Sequence, residues 1–233
     1  MGDSAGTPWT GRTLPAGDFA GDDGAADPRL TTALTADVAD DQAVVRAIAS
    51  ARLLVPIVAV HGNQPASDQT SDMALVTLTG PDGRRALPVF SSIATLAAWD
   101  ATARPVPVQA GRAAVSAVAE GCDLMVLDPA GPVTYVVSRP ALWALGAGRD
   151  WRPAHEDDEV LAAIEGAVAA EPDVVTFGAV PGQSAQLQVT LMVREGLAAE
   201  PVRAVAQRVA DALQASDVVR ERVDGLELRV QTA

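Results

Sequence analysis

The sequence predicts an α+β protein: two small α/β-type domains with mixed, largely antiparallel sheets covered by helices, preceded by a disordered leader. Three observations predict it. Apolar, β-branched runs of strand length alternate with segments of helical period from residue 34 onward. Two turn tetrads, Gly80-Pro81-Asp82-Gly83 and Asp128-Pro129-Ala130-Gly131, each separate a pair of such runs. The stretch Gly146-Ala147-Gly148-Arg149-Asp150 interrupts the pattern, and a new series begins after it. The expected boundaries are a leader over 1–33, a first domain over 34–148 and a smaller domain over 149–233.

Each element has a local reason. Residues 1–33 are rich in Gly, Asp, Ala, Thr and Pro, with Trp9 and Phe19 as isolated aromatics, so they lack the apolar surface to form a core. Val38, Val44, Val45 and Ile48 fall near helical spacing and predict a helix over 38–50. RLLVPIVAV over 52–60 reads as a strand, and Pro56 places it at an edge or a bulge. Met73–Thr79 and Arg84–Phe90 read as a hairpin around the first tetrad, because proline presets φ and glycine accepts positive φ. Ser91 or Ser92 is the natural N-cap of a helix carrying Ile93, Leu96 and Trp99. Arg104–Val108, with Pro105 and Pro107, suits an edge strand.

The order then partly recurs. A helix over 110–120 and strands Cys122–Leu127 and Val133–Val137 around the second tetrad lead to Ser138 and a helix over 140–146. In the second domain, a helix with Leu161, Ile164 and Val168 precedes strands Val174–Val180 and Ala185–Val193. A helix over 201–213 and a strand over 226–230 complete an α-β-β-α-β unit.

Composition excludes several classes of function. The net charge of −13 repels polyanions, which argues against nucleic acid and anionic membrane surfaces as partners. No apolar run approaches the ~20 residues of a membrane-spanning helix. The N-terminus lacks the cationic start and apolar stretch of a secretory signal. Cys122 is the only cysteine, so an intramolecular disulfide is impossible, in keeping with a cytoplasmic protein.

The blocks LLVPIVAV, MALVTLTGPDGRRALPVFSSIATLAAWD, ARPVPV and DLMVLDPAGPVTYVV carry a family resemblance. Over Leu53–Leu145 the chain resembles the N-terminal domain of the SseB-like, or enhanced-serine-sensitivity, family, and the layout with a smaller unit over 151–233 is similar too. The resemblance implies a two-domain protein. The family name records a growth phenotype involving serine and assigns no catalytic residue.

Residues with chemistry are few. His61 and His155 are the only histidines, too few for a histidine-based metal centre without carboxylates. Cys122 is followed by Asp123, which disfavours a thiolate. Glu156-Asp157-Asp158-Glu159 suits a helix N-terminus, where anions meet the helix dipole. Ser91, Ser92 and Ser138 read as caps, with no nucleophile elbow around them. Arg84, Arg85, Arg104 and Arg112 are the candidates for an anion- or partner-attracting patch. The functional expectation is a non-enzymatic cytoplasmic interaction or regulatory module, with a protein partner and no cofactor. The alternative is a domain that binds or senses a small, amino-acid-related metabolite.

Overall fold

The structure is a computed structural model that describes residues 19–38, 40–60 and 72–233. Aspartates start its first helices. Asp27 accepts from the Arg29 backbone N–H at 2.7 Å, and Pro28 occupies the first turn of α1 (Pro28–Leu34). Asp40 caps α2 (Asp41–Ser50) in the same way, so this helix begins after Val38, which is 79% exposed. Residues 1–18, including Trp9, lie outside the described residues. Residues 28–33, expected to belong to the leader, are part of helix α1 because the Asp27 cap starts it and Leu30 buries itself in the core.

The strand β1 (Arg52–Val60) is central rather than an edge, with β2 (Asp72–Leu75) on one side and β5 (Arg104–Gln109) on the other. Pro56 is tolerated because β2 pairs only from Ile57 onward, so one side of the proline has no ladder to complete. The expected first hairpin also splits. Its first run is broken, with β2 joining β1 and only β3 (Leu78–Thr79) turning back on β4 (Arg85–Val89). A second sheet has the order β3-β4-β6-β7, with β6 at Leu124–Leu127 and β7 at Tyr135–Val137. Leu54 and Phe90 exchange backbone hydrogen bonds of 2.8 Å and tie the two sheets together. Helices α2, α4 (Ala110–Ala119) and α5 (Arg139–Gly146) cover one core. Phe90, Leu96 of α3 (Ile93–Trp99) and Ala103 form a smaller one, in which Trp99 meets Phe90 with ring centroids 5.4 Å apart.

β4 and β6 run parallel and end together at a buried polar knot. Asp128 has φ of 50°, a left-handed conformation that costs a non-glycine residue energy unless its surroundings enforce it. Its carboxylate accepts from the Ser91 N–H at 2.9 Å and the Ser91 hydroxyl at 2.6 Å. Its own N–H donates to the Val89 carbonyl, and its carbonyl accepts from Gly131 and Thr134. A Cβ on Gly131 would lie 2.9 Å from the Asp128 Cβ, so the turn requires glycine there. Ser92, next in sequence, caps α3 through a reciprocal pair of bonds with Thr95.

The second unit comprises α6 (Asp158–Ala169), β8 (Val174–Pro181), β9 (Leu187–Val193), α7 (Ala199–Ala215), α8 (Asp217–Arg222) and β10 (Leu226–Thr232). Alternate β9 residues Leu187, Val189 and Leu191 face Val160 and Ile164 of α6 and Val209 and Leu213 of α7 in a separate core. α8 is absent from the sequence reading, because six residues capped by Ser216 carry too little period to show. The sheet is mixed, with order β10-β9-β8: β8 is antiparallel to β9 and β10 parallel to it.

Replacing Asp128 by alanine leaves the buried Ser91 N–H and hydroxyl unpaired at a strained backbone position. Urea unfolding is expected to show a loss of about 2–4 kcal/mol. Asp128→Asn, which keeps an acceptor and tolerates positive φ, is expected to lose less. A loss below about 1 kcal/mol for Asp128→Ala would contradict the role of the knot.

Candidate functional site

The two units meet along a seam of charged side chains, and an open cleft of ≈ 700 Å³ lies on it. Arg84 leaves the first turn tetrad just before β4. Its Nε and backbone N–H donate to Asp82 at 2.6 and 3.1 Å, and its Nη1 donates across the seam to Asp224 at 2.9 Å. Asp224 lies between α8 and β10, and its N–H donates to the Gln186 side chain. Arg139, the first residue of α5, places Nε 3.5 Å from the second Asp224 oxygen. Its Nη2 donates to the carbonyls of Arg220 and Val223 at the end of α8, where a cation meets the negative end of the helix dipole. The same guanidinium lies over the Trp143 ring at 5.5 Å. Its Nε is buried and, beyond that ion-pair contact, has no hydrogen-bond partner among the described residues.

The far wall of the cleft is the turn between β8 and β9. Glu227 fixes it by accepting from the Gln183 N–H at 2.9 Å and the Ser184 hydroxyl at 2.8 Å. Asp82, Asp123 and Asp224 supply three carboxylates to the lining, against the guanidiniums of Arg84 and Arg139. Farther along the seam, Arg149 donates to Glu221 at 2.7 Å beside a cavity of ≈ 70 Å³. The indole N–H of Trp151, which also lines that cavity, is buried without a partner among the described residues.

The ion pairs hold their members charged. The hydrogen bond from Arg84 keeps the Asp82 carboxyl below its usual range, and that from Arg149 does the same for Glu221. Arg84 is held above its ordinary value by the hydrogen bond to Asp82. In the second unit, Arg208 clamps Glu171 with bonds of 2.7 and 2.6 Å and lowers its pKa.

Of the four arginines singled out in the sequence, Arg84 lines the cleft. Arg85 points elsewhere, donating to the Thr77 hydroxyl at 3.3 Å. Arg104 is on β5, opposite Ile57, and Arg112 on α4 lines a different groove with Val115 and Leu145. The four therefore do not line one common cavity. Successive strand positions point to opposite faces, and the other two belong to a different sheet and a helix.

The remaining candidates have structural partners. Ser91 binds Asp128 and Ser92 caps α3, whereas Ser138 precedes α5 without a side-chain capping bond. Cys122 is buried, and burial pushes its thiol pKa up. Asp157 caps α6 and pairs with Arg222, which also binds Glu159, while Asp158 pairs with Arg152. His155 lies 3.4 Å from Glu156, and His61 lies outside the described residues. Among the described residues, no group of three or more His, Cys, Asp or Glu side chains is placed to hold a metal. No helix among them is long and apolar enough to cross a membrane. Arg139 and Asp224 escaped sequence reasoning because they are 85 positions apart (224 − 139) and neither stands in a local motif.

These features define a two-unit α+β protein with a charged cleft on the seam between its cores. Residues 29–144 match the family model described as SseB protein N-terminal domain, and through that half the chain belongs to the SseB family. The match begins within α1 and ends within α5, so the cleft combines the family domain with a unit outside the matched stretch. No curated protein and no solved structure matches the chain.

Asp82 and Glu221 have folded pKa values lowered relative to the unfolded chain. Their pairs therefore contribute stability above the ordinary carboxylate range and lose it as pH falls through the folded values. Amide exchange around Asp82 and Glu221 is expected to speed up relative to the cores below about pH 4, and to keep a constant ratio to the cores between about pH 6 and 8. Asp224→Ala is expected to loosen the seam at neutral pH while changing global stability by no more than about 1 kcal/mol, as partly exposed ion pairs do. Unchanged exchange at the seam in that variant would contradict the assignment.

Proposed function

We propose that this chain is a non-enzymatic cytoplasmic interaction or regulatory module whose protein partner lays a segment carrying basic residues across the cleft. The observation that supports this reading is the excess of carboxylates in the lining: Asp82, Asp123 and Asp224 against Arg84 and Arg139. The chain's net charge of −13 draws the same kind of partner and disfavours nucleic acid and anionic membrane. The shape agrees. Small-molecule sites are mostly enclosed and apolar, whereas this cleft is open and bordered largely by charged and amide side chains. Its position on the seam gives partner binding a lever on the relative placement of the two units, which is how such a module would regulate.

A second reading has one observation behind it. Arg84 and Arg139 place two guanidiniums in the cleft lining, groups suited to the carboxylate of an amino-acid-related metabolite. The cleft volume also falls in the range of about 300–1,000 Å³ found for small-molecule sites.

Native-lysate capture with the wild type and with Gln183→Arg separates the readings. Gln183 is exposed on the cleft wall, and its replacement adds a positive charge without breaking the seam. A stoichiometric partner is expected with the wild type, weakened about tenfold or more by the substitution and by added salt. An identical captured set for both proteins would sink the cleft as the docking site. An empty capture joined to a melting shift with one member of an amino-acid panel would favour the metabolite reading.

A further inference from the structure

The segment that precedes α1 is tied to the first unit by specific bonds. Arg52 of β1 is the latch. Its Nε lies 2.7 Å from one Asp22 oxygen, and its Nη2 donates to the other oxygen at 3.0 Å and to the Ala25 carbonyl. Its Nη1 donates to the Ser91 carbonyl at 3.0 Å. The Ile93 N–H donates to the Gly24 carbonyl at 2.9 Å, and the Ile93 side chain leaves no room for a Cβ on Gly24. Followed toward lower residue numbers, this segment reaches Phe19, which lines a groove of ≈ 600 Å³ together with Arg52, Gln109, Gly111 and Leu145. A second groove of ≈ 610 Å³ adjoins it, because Gln109, Gly111, Leu145 and Gly148 line both. The second groove runs over α4, where Val108, Val115 and Leu145 supply apolar walls and Arg112 a cation. Val115 is 56% exposed there.

We propose that this joined groove receives the stretch Pro8–Leu14 of the same chain, with Leu14 nearer Phe19 and Trp9 against Val115 and Arg112. Three observations select that occupant. The first is continuity: the bonds of Arg52 and Ile93 already hold the chain up to Phe19 at the mouth of the groove, so the residues before it are delivered there. The second is reach. Leu14 and Trp9 stand five and ten positions before Phe19 (19 − 14 and 19 − 9), spans of up to about 17 and 34 Å. Val115 lies one helical turn beyond Gly111, about 6 Å along α4. The third is composition. Apart from Met1, Trp9 and Leu14 are the large apolar side chains among residues 1–18.

The chemistry agrees with the placement. An indole laid on Val115 buries apolar area on both sides, and the Arg112 guanidinium one turn away can meet the face of the ring. The tether favours this segment over any separate occupant. It supplies an effective concentration in the mM range, so a contact with a Kd of about 1 mM is made about half the time. A second copy has no such advantage and brings a further net charge of −13. The contact also touches the seam between the two units. Arg149 lines the first groove and donates to Glu221 of the second unit at 2.7 Å. Docking of the segment and placement of the units thus share a side chain.

Paramagnetic relaxation in the full chain tests this, with a nitroxide on Thr10→Cys and Cys122 replaced by serine. The amide signals of Arg112 to Ser116 are expected to lose about half their intensity or more, as a contact made about half the time requires. The loss is expected to be independent of protein concentration. Trp9→Ser, which leaves α4 untouched, and Val115→Asp, at an exposed position, are each expected to restore most of the intensity. Undiminished signals in the labelled chain overturn the proposal. So does a loss that persists with Trp9→Ser, or with Val115→Asp in folded protein. A loss that fades on dilution overturns it too, because the groove would then hold the segment of a second copy.

Discussion

Asp224 is held by two arginines that come from different elements of the first unit. Arg84 reaches it from the turn before β4, and Arg139 from the first turn of α5. These two anchors set the second unit against the first, because α8 ends beneath Arg139 and β10 begins just after Asp224. Each ion pair is worth little by itself at partial exposure. Their joint effect is geometric. Three side chains from distant parts of the chain, each with further fixed bonds, define one relative placement of two cores and leave the cleft beside it.

The aim of Arg84 depends in turn on β4. At its start, the Asp123 N–H donates to the Arg85 carbonyl at 2.8 Å, and the Arg85 N–H returns to the Asp123 carboxylate at 3.3 Å. At its end, the buried Ser91–Asp128 pair locks it to β6. A parallel strand pair fixed at both ends is a rigid base, and a guanidinium projecting from it loses little freedom on binding. The polar knot that stabilises the fold thus also positions the seam, linking sequence-local turn chemistry to the candidate site.

The sequence carried much of this fold for physical reasons. Caps and turns are local, so Ser92, the two turn tetrads and the helical stripes of α6 and α7 were legible residue by residue. Register and partner choice were not. Pro56 reads as an edge signal, yet β1 is central, because a proline needs only one unpaired side and β2 stops short of it. The split of Met73–Thr79 between two sheets depends on where β1 ends, which no property of the segment records. The candidate site was legible through Arg84 alone. Arg139 and Asp224 gain their roles from the meeting of two units, and Asp128 looks like an ordinary turn aspartate until β4 is laid beside it. The same non-locality hid the groove over α4, since its walls come from separate elements.

The Asp224 seam holds the two units in one placement. The direct test is a distance distribution between spin labels at exposed Val118 of α4 and exposed Ala204 of α7, with Cys122 replaced by serine. One narrow distribution is expected for the otherwise native chain and a broad one when Asp224 is also replaced by alanine. A broad distribution with Asp224 intact, or a narrow one that persists without it, would mean that the seam does not fix the two units.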